Sequence, residues 1–273
     1  MSRCLTFPLL FASLLAVATT VASLASSPAA ARAYSGADRE VPLARFQDPL
    51  CPGIVGVAQD SAEGMVELIR RNAAGLGLRL AEPQSCEPNL LVLVIDDPRG
   101  YLAGLRERKP YLFEHLGAAE RQALFDAPGP AHTWTRVFVR TRDGMEVYQS
   151  ENLTEPTQMW VEAAHSLIYV PTRRDIVSSM VLIDKKAVQG MSVAQIADYA
   201  TMRGLSGSQA ERLGAPRETI LDLFEATAGA KPAGLTRSDR IFLQTLYSTM
   251  PNNPAAITLA MADARIAGSK PAE

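Results

Sequence analysis

The sequence predicts an α+β fold that begins with a βαβ unit, continues with a β-hairpin in a mixed sheet, and ends in helices. An apolar strand, an amphipathic helix and a second apolar strand follow one another between residues 53 and 96. Apolar and polar residues then alternate from residue 131 up to an Asp143-Gly144 turn, and helical spacing dominates after residue 190. The change of the apolar period from 2 to 3.6 separates the strands from the helices.

The N-terminus has the pattern of a secretory signal. Arg3 is followed by the uncharged run LTFPLLFASLLAVATTVASLA, and a small-x-small site, Ala31-Arg32-Ala33, precedes Tyr34. We therefore predict that residues 1–33 are a cleaved signal peptide and that the mature protein is periplasmic or secreted. The apolar run is also about 20 residues long, which leaves an N-terminal membrane anchor as the alternative.

The cysteines support export. After cleavage only Cys51 and Cys86 remain, and an even pair in an oxidising compartment predicts a disulfide. Each cysteine stands just before a predicted strand, so both lie at the same edge of the sheet if the two parallel strands are neighbours. Two buried free thiols are the alternative.

The mature chain divides into four predicted parts. Residues 34–50 are a flexible N-terminus, residues 51–130 an N-terminal α/β part, residues 131–267 a mixed part with hairpin, strands and helices, and residues 268–273 a tail. No linker marks the boundary between the two central parts, so one continuous domain is as compatible with the sequence as two. The predicted elements of the α/β part are strand 53–58, helix 61–75 and strand 89–96, followed by short helices.

Four helices are predicted at the C-terminal end, over residues 192–204, 216–226, 236–249 and 253–267. In the first of them Val193, Ile196, Ala197 and Ala200 share one apolar face, which we expect to face the core. Asp198 lies beside that face and is expected to be exposed. Gly204 is expected to end this helix in a left-handed turn.

Composition and motif spacing exclude several classes of function. A net charge of −2 gives no electrostatic case for binding nucleic acid. The three histidines, His115, His132 and His165, lack the helical or hairpin spacing of metal ligands, and no cofactor motif is present. We therefore predict no metal and no cofactor. The short clusters Arg173-Arg174-Asp175 and Lys185-Lys186 have the pattern of solvated strand edges.

Asp96, His132 and Asp198 are the candidates for catalysis. Asp96 closes an apolar strand, and carboxylates at the carboxyl end of a strand in an α/β sheet can line a ligand site. The neighbouring Asp97 is better placed to cap the helix that follows, because Pro98 fits the first helical position. His132 precedes Trp134 in the alternating segment, a setting more typical of an ordinary strand residue than of a general base.

Residues 192–247 resemble the catalytic half of metzincin-type zinc proteases in the order of their parts. The segment ADYATMRGL lies where the zinc-binding helix would be, followed by ETILDLF and LTRSDRIFLQTLY. Alignment on Gly204 places Ala197 and Thr201 at the two helix histidines, Asp198 at the catalytic acid and Gly207 at the third histidine. The chain also resembles exported proteobacterial proteins, some of which are zincin-like. The resemblance implies a related fold in which every zinc ligand is absent, so we expect that this protein is not a zinc protease.

These expectations combine into a functional hypothesis. The sequence predicts an exported, soluble, non-catalytic protein of the bacterial periplasm that acts as an envelope-associated binding or accessory factor, with a protein partner in the cell envelope. One alternative is a hydrolase whose site is assembled from distant residues such as Asp96, His132 or Asp198. Another alternative is a subunit of an assembly, which a large exposed apolar patch would favour.

Overall fold

The computed structural model describes residues 40–147, 170–206, 218–225 and 231–269. The predicted signal peptide, His165, Gly207 and residues 270–273 of the predicted tail lie outside the described residues. Helices and a mostly parallel sheet alternate along the chain, which confirms the predicted mixed α and β class.

The strands and helices are numbered in chain order. The strands are β1 Arg45–Phe46, β2 Pro52–Val55, β3 Leu90–Ile95, β4 Ala131–Thr141 and β5 Thr172–Asp184. The helices are α1 Gln59–Gly75, α2 Pro98–Arg108, α3 Ala118–Asp126, α4 Val193–Ser206, α5 Arg237–Ser248 and α6 Ala255–Gly268, with short 3-10 helices at Pro110–Phe113 and Ile220–Phe224.

The long strand β5 organises the sheet. One edge of β5 pairs antiparallel with β4 along almost its whole length. Because β4 occupies that edge, the parallel pairings with β1 near Asp175 and with β3 near Val181 must share the other edge, one after the other. Strand β2 pairs parallel with β3, and α1 connects them, so the predicted βαβ unit is present.

Helices cover both faces of the sheet. The first core lies between one face and helices α1, α4, α5 and α6, and it takes Leu90 from β3 and Val181 from β5. The second core lies between the opposite face and α2, α3 and the first 3-10 helix, and it takes Leu93 and Leu182 from the same strands. Alternate residues of each strand therefore enter different cores, as the period of 2 requires.

A disulfide joins Cys51 and Cys86, as predicted, with their Cα atoms 6.1 Å apart. Cys51 directly precedes β2, and Asn89, which precedes β3, accepts a hydrogen bond from the Cys51 N–H through its side-chain Oδ1 at 2.8 Å. The disulfide therefore lies at the edge of the sheet where β2 and β3 both begin.

One predicted boundary differs from the structure. Residues 42–46 of the predicted flexible segment 34–50 are buried, and β1 pairs with β5 because Phe46 fills the first core. Strand β5 of the later predicted part lies between β3 of the earlier part and β4, so the two parts contribute to one sheet, as the alternative of one continuous domain allows.

The predicted hairpin turn at Asp143-Gly144 is present. Gly144 has φ 95° and its N–H donates to the Thr141 carbonyl at 2.9 Å, as in a tight turn. An antiparallel bridge joins Arg140 to Glu146, and residues 148–150 lie outside the described residues. Strand β4 also pairs antiparallel with β5 from Ala131 to Thr141, a pairing that the hairpin prediction did not include.

The prediction that Gly204 ends α4 in a left-handed turn was wrong. The helix continues to Ser206, and Gly204 is not among the glycines with positive φ. A Cβ atom at position 204 would lie 2.5 Å from Cδ1 of Leu90. Glycine lets α4 pass β3 at close range without displacing the Leu90 side chain. Ile196, Ala197 and Ala200 face the core, as predicted.

Gly204→Ala is expected to lower the free energy of unfolding by up to about 2 kcal/mol. The added methyl group overlaps Leu90 in a filled core, which costs about 1–3 kcal/mol, and the gain of about 1 kcal/mol that alanine normally brings to a helix offsets part of this cost. Urea unfolding monitored by circular dichroism measures the difference. Gly75→Ala, at the end of α1, is the matched control, because a Cβ there meets nothing within 4 Å and should stabilise slightly. A stabilising Gly204→Ala would contradict the close approach.

Candidate functional site

Asp175 of β5 is the centre of a charged cluster inside the protein. Its side chain is about 1% exposed. The carboxylate Oδ2 accepts hydrogen bonds from Arg173 Nη2 at 3.0 Å and from Arg140 Nη1 at 3.2 Å, and Arg173 Nε lies 3.0 Å from Oδ1. Arg140 on β4 pairs directly with Arg173 in the sheet register, so β4 and β5 together bring both guanidinium groups to the one carboxylate.

A third guanidinium comes from β1. Arg45 is the register partner of Asp175, and it is almost fully buried. Its Nη1 donates to the carbonyl oxygens of Leu246 and, at 2.8 Å, of Thr249, at the C-terminal end of α5. Burial lowers the pKa of Arg45 and the nearby Arg173 acts in the same direction. The helix carbonyls compensate for this, because the C-terminal end of a helix carries partial negative charge.

Tyr247 completes the arrangement from α5. Its hydroxyl donates to the Leu205 carbonyl of α4 at 2.7 Å and accepts from the Phe46 N–H of β1 at 3.2 Å. Burial raises the pKa of Tyr247 above its ordinary value, so the phenol stays neutral and keeps its proton for Leu205.

We call these residues, with the half-exposed Asp48 that lies 3.6 Å from Arg140, the Asp175 cluster. It comprises Arg45, Asp48, Arg140, Arg173, Asp175 and Tyr247. Two of its arginines face two carboxylates and the third faces helix carbonyls, so the charges are compensated within the protein. The cluster holds β1, β4, β5 and α5 together.

Sequence reasoning placed Arg173-Arg174-Asp175 at a solvated edge, and this was wrong for Asp175. It overlooked that side chains alternate between the two faces of a strand. Arg173 and Asp175 are two residues apart on one strand, and Arg140 lies on the neighbouring strand, so all three can share one face of the sheet. Burial of Arg174 lowers its pKa, while nearby Glu120 acts in the opposite direction.

Asp198 is partly buried, so the expectation that it is exposed was wrong. Its Oδ1 accepts from Asn72 Nδ2 of α1 at 2.7 Å, and its Oδ2 accepts from the Leu235 N–H at 2.8 Å. The same Asn72 amide donates to Thr201 at 3.2 Å. Asp198 therefore joins α4 to α1 and to the segment that leads into α5.

Asp239 is a second buried carboxylate that the sequence analysis missed. It is fully buried and accepts hydrogen bonds from Thr219 Oγ1 at 2.7 Å, from the Ile220 N–H at 2.8 Å and from the Thr236 N–H at 2.9 Å. Thr236 in turn accepts from the Asp239 N–H, which makes a capping box at the start of α5. The Thr-x-x-Asp pattern before the apolar face of α5 was the available signal.

The three candidate catalytic residues are not brought together. His132 is buried on the side of the second core, on the same face of β4 as Trp134, whereas Asp198 belongs to α4 over the first core. Asp96 is exposed at the end of β3, while Asp97 beside it caps α2 by accepting from the Gly100 N–H at 2.9 Å. The strand register places the Cα atoms of His132 and Asp96 about 14 Å apart, too far for proton transfer between them.

The residues at the positions aligned with the zinc ligands of metzincins are packed in the core. Ala197 and Thr201 are fully buried, and Thr201 Oγ1 donates to the Ala197 carbonyl at 2.8 Å. Among the described residues no group of three or more His, Cys, Asp or Glu side chains could hold a metal ion. In the same part of the chain no helix is long and apolar enough to cross a bilayer.

Comparison with known proteins gives no family for this chain: no protein-family model matches it, and no curated protein and no solved structure is detectably similar to it.

Acidification is expected to destabilise the fold through His132. Burial lowers its pKa, Arg99 adds to the lowering, and the Leu124 backbone acts against it. The unfolded histidine, with a pKa of about 6.5, then takes up a proton that the folded one does not. The contribution of His132 to the free energy of unfolding is fully present above this pH. It is lost as the pH falls below it, by at most about 1.4 kcal/mol per pH unit.

Urea unfolding at pH 7.5 and pH 5.0 measures this loss. His132→Leu, which replaces the buried titratable ring with an apolar side chain, should reduce the loss. His115→Gln, which replaces a ring bonded to the Thr135 carbonyl, should leave the contribution of His132 in place. An identical pH dependence in wild type and His132→Leu would assign the loss to other groups.

Proposed function

We propose that this chain is an exported, disulfide-bonded protein of the bacterial periplasm that serves as an envelope-associated binding or accessory factor and catalyses no reaction. The observation that carries the proposal is the use of its buried charged groups. Asp175, Asp198 and Asp239 all accept hydrogen bonds from groups that hold strands or helices in place. A general base or nucleophile needs a free position beside it for a substrate, and these carboxylates are occupied by the fold.

The disulfide supports export, because such bonds persist in the periplasm and outside the cell and are rare in the cytosol. The predicted signal sequence leads to the same compartment. N-terminal sequencing of the protein produced in its own host is expected to begin at or near Tyr34. An intact Met1 terminus recovered from the membrane fraction would replace cleavage with the membrane-anchor alternative.

The absence of catalysis is tested separately. Purified protein is assayed against chromogenic ester, peptide and glycoside substrates, with metal analysis of the same preparation. We expect no turnover above buffer, no stoichiometric zinc and no effect of chelator on the melting temperature. Turnover that is lost in Asp96→Asn or His132→Gln, with the fold retained, would support the hydrolase alternative. Stoichiometric zinc would overturn the conclusion that the metzincin-like segment lacks a metal.

A further inference from the structure

Helix α6 has apolar residues on two opposite faces. Ala255, Thr258, Leu259 and Ala262 are buried against the rest of the protein. On the other side five exposed residues without charge repeat at spacings of three, four and seven: Ile257, Ala260, Met261, Ala264 and Gly268. At 3.6 residues per turn they form one stripe about 100° wide and about 16 Å long. A surface helix normally carries polar residues on the face opposite its buried one, and this second apolar stripe departs from that pattern.

The two large residues of this stripe are well exposed. Ile257 and Met261 are exposed by 48% and 37%, and they are two of the nine large apolar residues exposed in the described part of the chain. We call Ile257, Ala260, Met261, Ala264 and Gly268 the α6 patch.

The stripe carries no charge that a partner must match. Arg265 is turned toward α5, where its Nη1 donates to Thr245 Oγ1 at 3.1 Å and approaches Ser248 Oγ at 3.3 Å. Asp263 is partly buried and does not belong to the stripe. A neutral surface can meet a copy of itself without repulsion between like charges, which is the requirement of a two-fold interface.

The order of large and small residues along α6 is complementary to the same helix of a second copy. In an antiparallel pair whose two-fold axis passes between positions 260 and 261, Ile257 lies opposite Ala264 of the second copy, and Met261 lies opposite Ala260. Each large side chain then meets a small one at both ends of the stripe, as close helix packing requires. The antiparallel arrangement also places the negative end of each helix dipole beside the positive end of the other.

We propose that the α6 patch is a self-association surface through which two copies of this chain pair by antiparallel packing of their α6 helices. Such a contact belongs to the small class of interfaces, below about 1,200 Å² in total. The dimer is therefore expected to be weak.

Sedimentation velocity of the purified protein over about 1–200 μM tests the proposal. We expect the mass to rise from one chain to two with concentration. Met261→Glu should weaken association at least tenfold, because it brings two carboxylates near the two-fold axis. Val55→Glu is the matched control, since Val55 is 52% exposed on β2, outside the patch, and association should not change.

A second variant separates the pairing from a general loss of apolar surface. Ala260→Lys combined with Met261→Glu places an ammonium group opposite a carboxylate across the axis, and it should restore association in low salt. A monomer at all concentrations overturns the proposal, and so does a dimer that Met261→Glu leaves intact or that the double variant does not restore. Monomeric protein that binds phosphatidylglycerol vesicles, and loses this binding in Met261→Glu, would assign the patch to a bilayer surface and also overturn it.

Discussion

Asp175→Ala is expected to lower the free energy of unfolding by about 3–5 kcal/mol, the largest effect of any single substitution considered for this protein. The variant leaves the guanidinium groups of Arg140 and Arg173 partly buried without the carboxylate that both contact. It also removes the attraction that Asp175 exerts on the buried Arg45. Breaking a buried ion pair by removing one partner is costly because the remaining charge stays out of water.

Equilibrium unfolding in urea measures this change. The matched control is Asp48→Ala, because Asp48 is half exposed and lies 3.6 Å from the same Arg140. Exposed ion pairs contribute little, so this control should stay within about 0.5 kcal/mol of the wild type. If both variants lost the same amount, or neither lost any, the cluster would not hold the sheet as its contacts indicate.

The parts of the fold that depend on local sequence could be predicted. The βαβ unit follows from one amphipathic helix between two apolar runs, and α1 lies within two residues of its predicted start. The cap at Asp97 follows from its position before Pro98, and it is present. The disulfide followed from the count of cysteines and from their common place before two strands.

The parts that depend on distant residues could not be predicted. Nothing local indicates that Arg45 reaches the end of α5, about 200 residues further along the chain. Gly204 has the sequence pattern of a helix end, and only the approach of Leu90 from β3 explains why glycine stands within the helix. Asp198 was expected to be exposed because it lies beside the apolar face of its helix, yet its partners Asn72 and Leu235 come from two other segments.

The candidate site shows the same division. Sequence reasoning chose Asp96 because it closes a strand, His132 because of its residue type, and Asp198 because it aligns with the catalytic acid of the metzincin motif. The structure instead gathers charge at Asp175, where three strands meet, and the contributions of β1 and β4 depend on the register of the sheet. Register is set by pairing across the whole sheet and cannot be obtained from one strand alone.

Removal of the disulfide by Cys51→Ala with Cys86→Ala is expected to lower the free energy of unfolding by about 4 kcal/mol. The estimate follows from the 35-residue separation, because a cross-link restricts the unfolded chain more as the loop that it closes becomes longer. Urea unfolding measures the loss. A reductant should lower the unfolding midpoint of the wild type and leave that of the double variant unchanged, and equal sensitivity of both proteins would contradict the assignment.

Thiol labelling of the unfolded, unreduced protein connects this bond to export. A chain that begins at Tyr34 contains only Cys51 and Cys86, so it should show no free thiol, whereas a chain that keeps its N-terminus should show one, from Cys4. Two labelled thiols in the shorter chain would rule out the bridge. Because Asn89 binds both the Cys51 N–H and the Pro49 carbonyl at the same sheet edge, the start of β2 keeps a second connection to β3 after reduction. The double variant should therefore still fold, with its loss of stability arising mainly from the greater freedom of the unfolded chain.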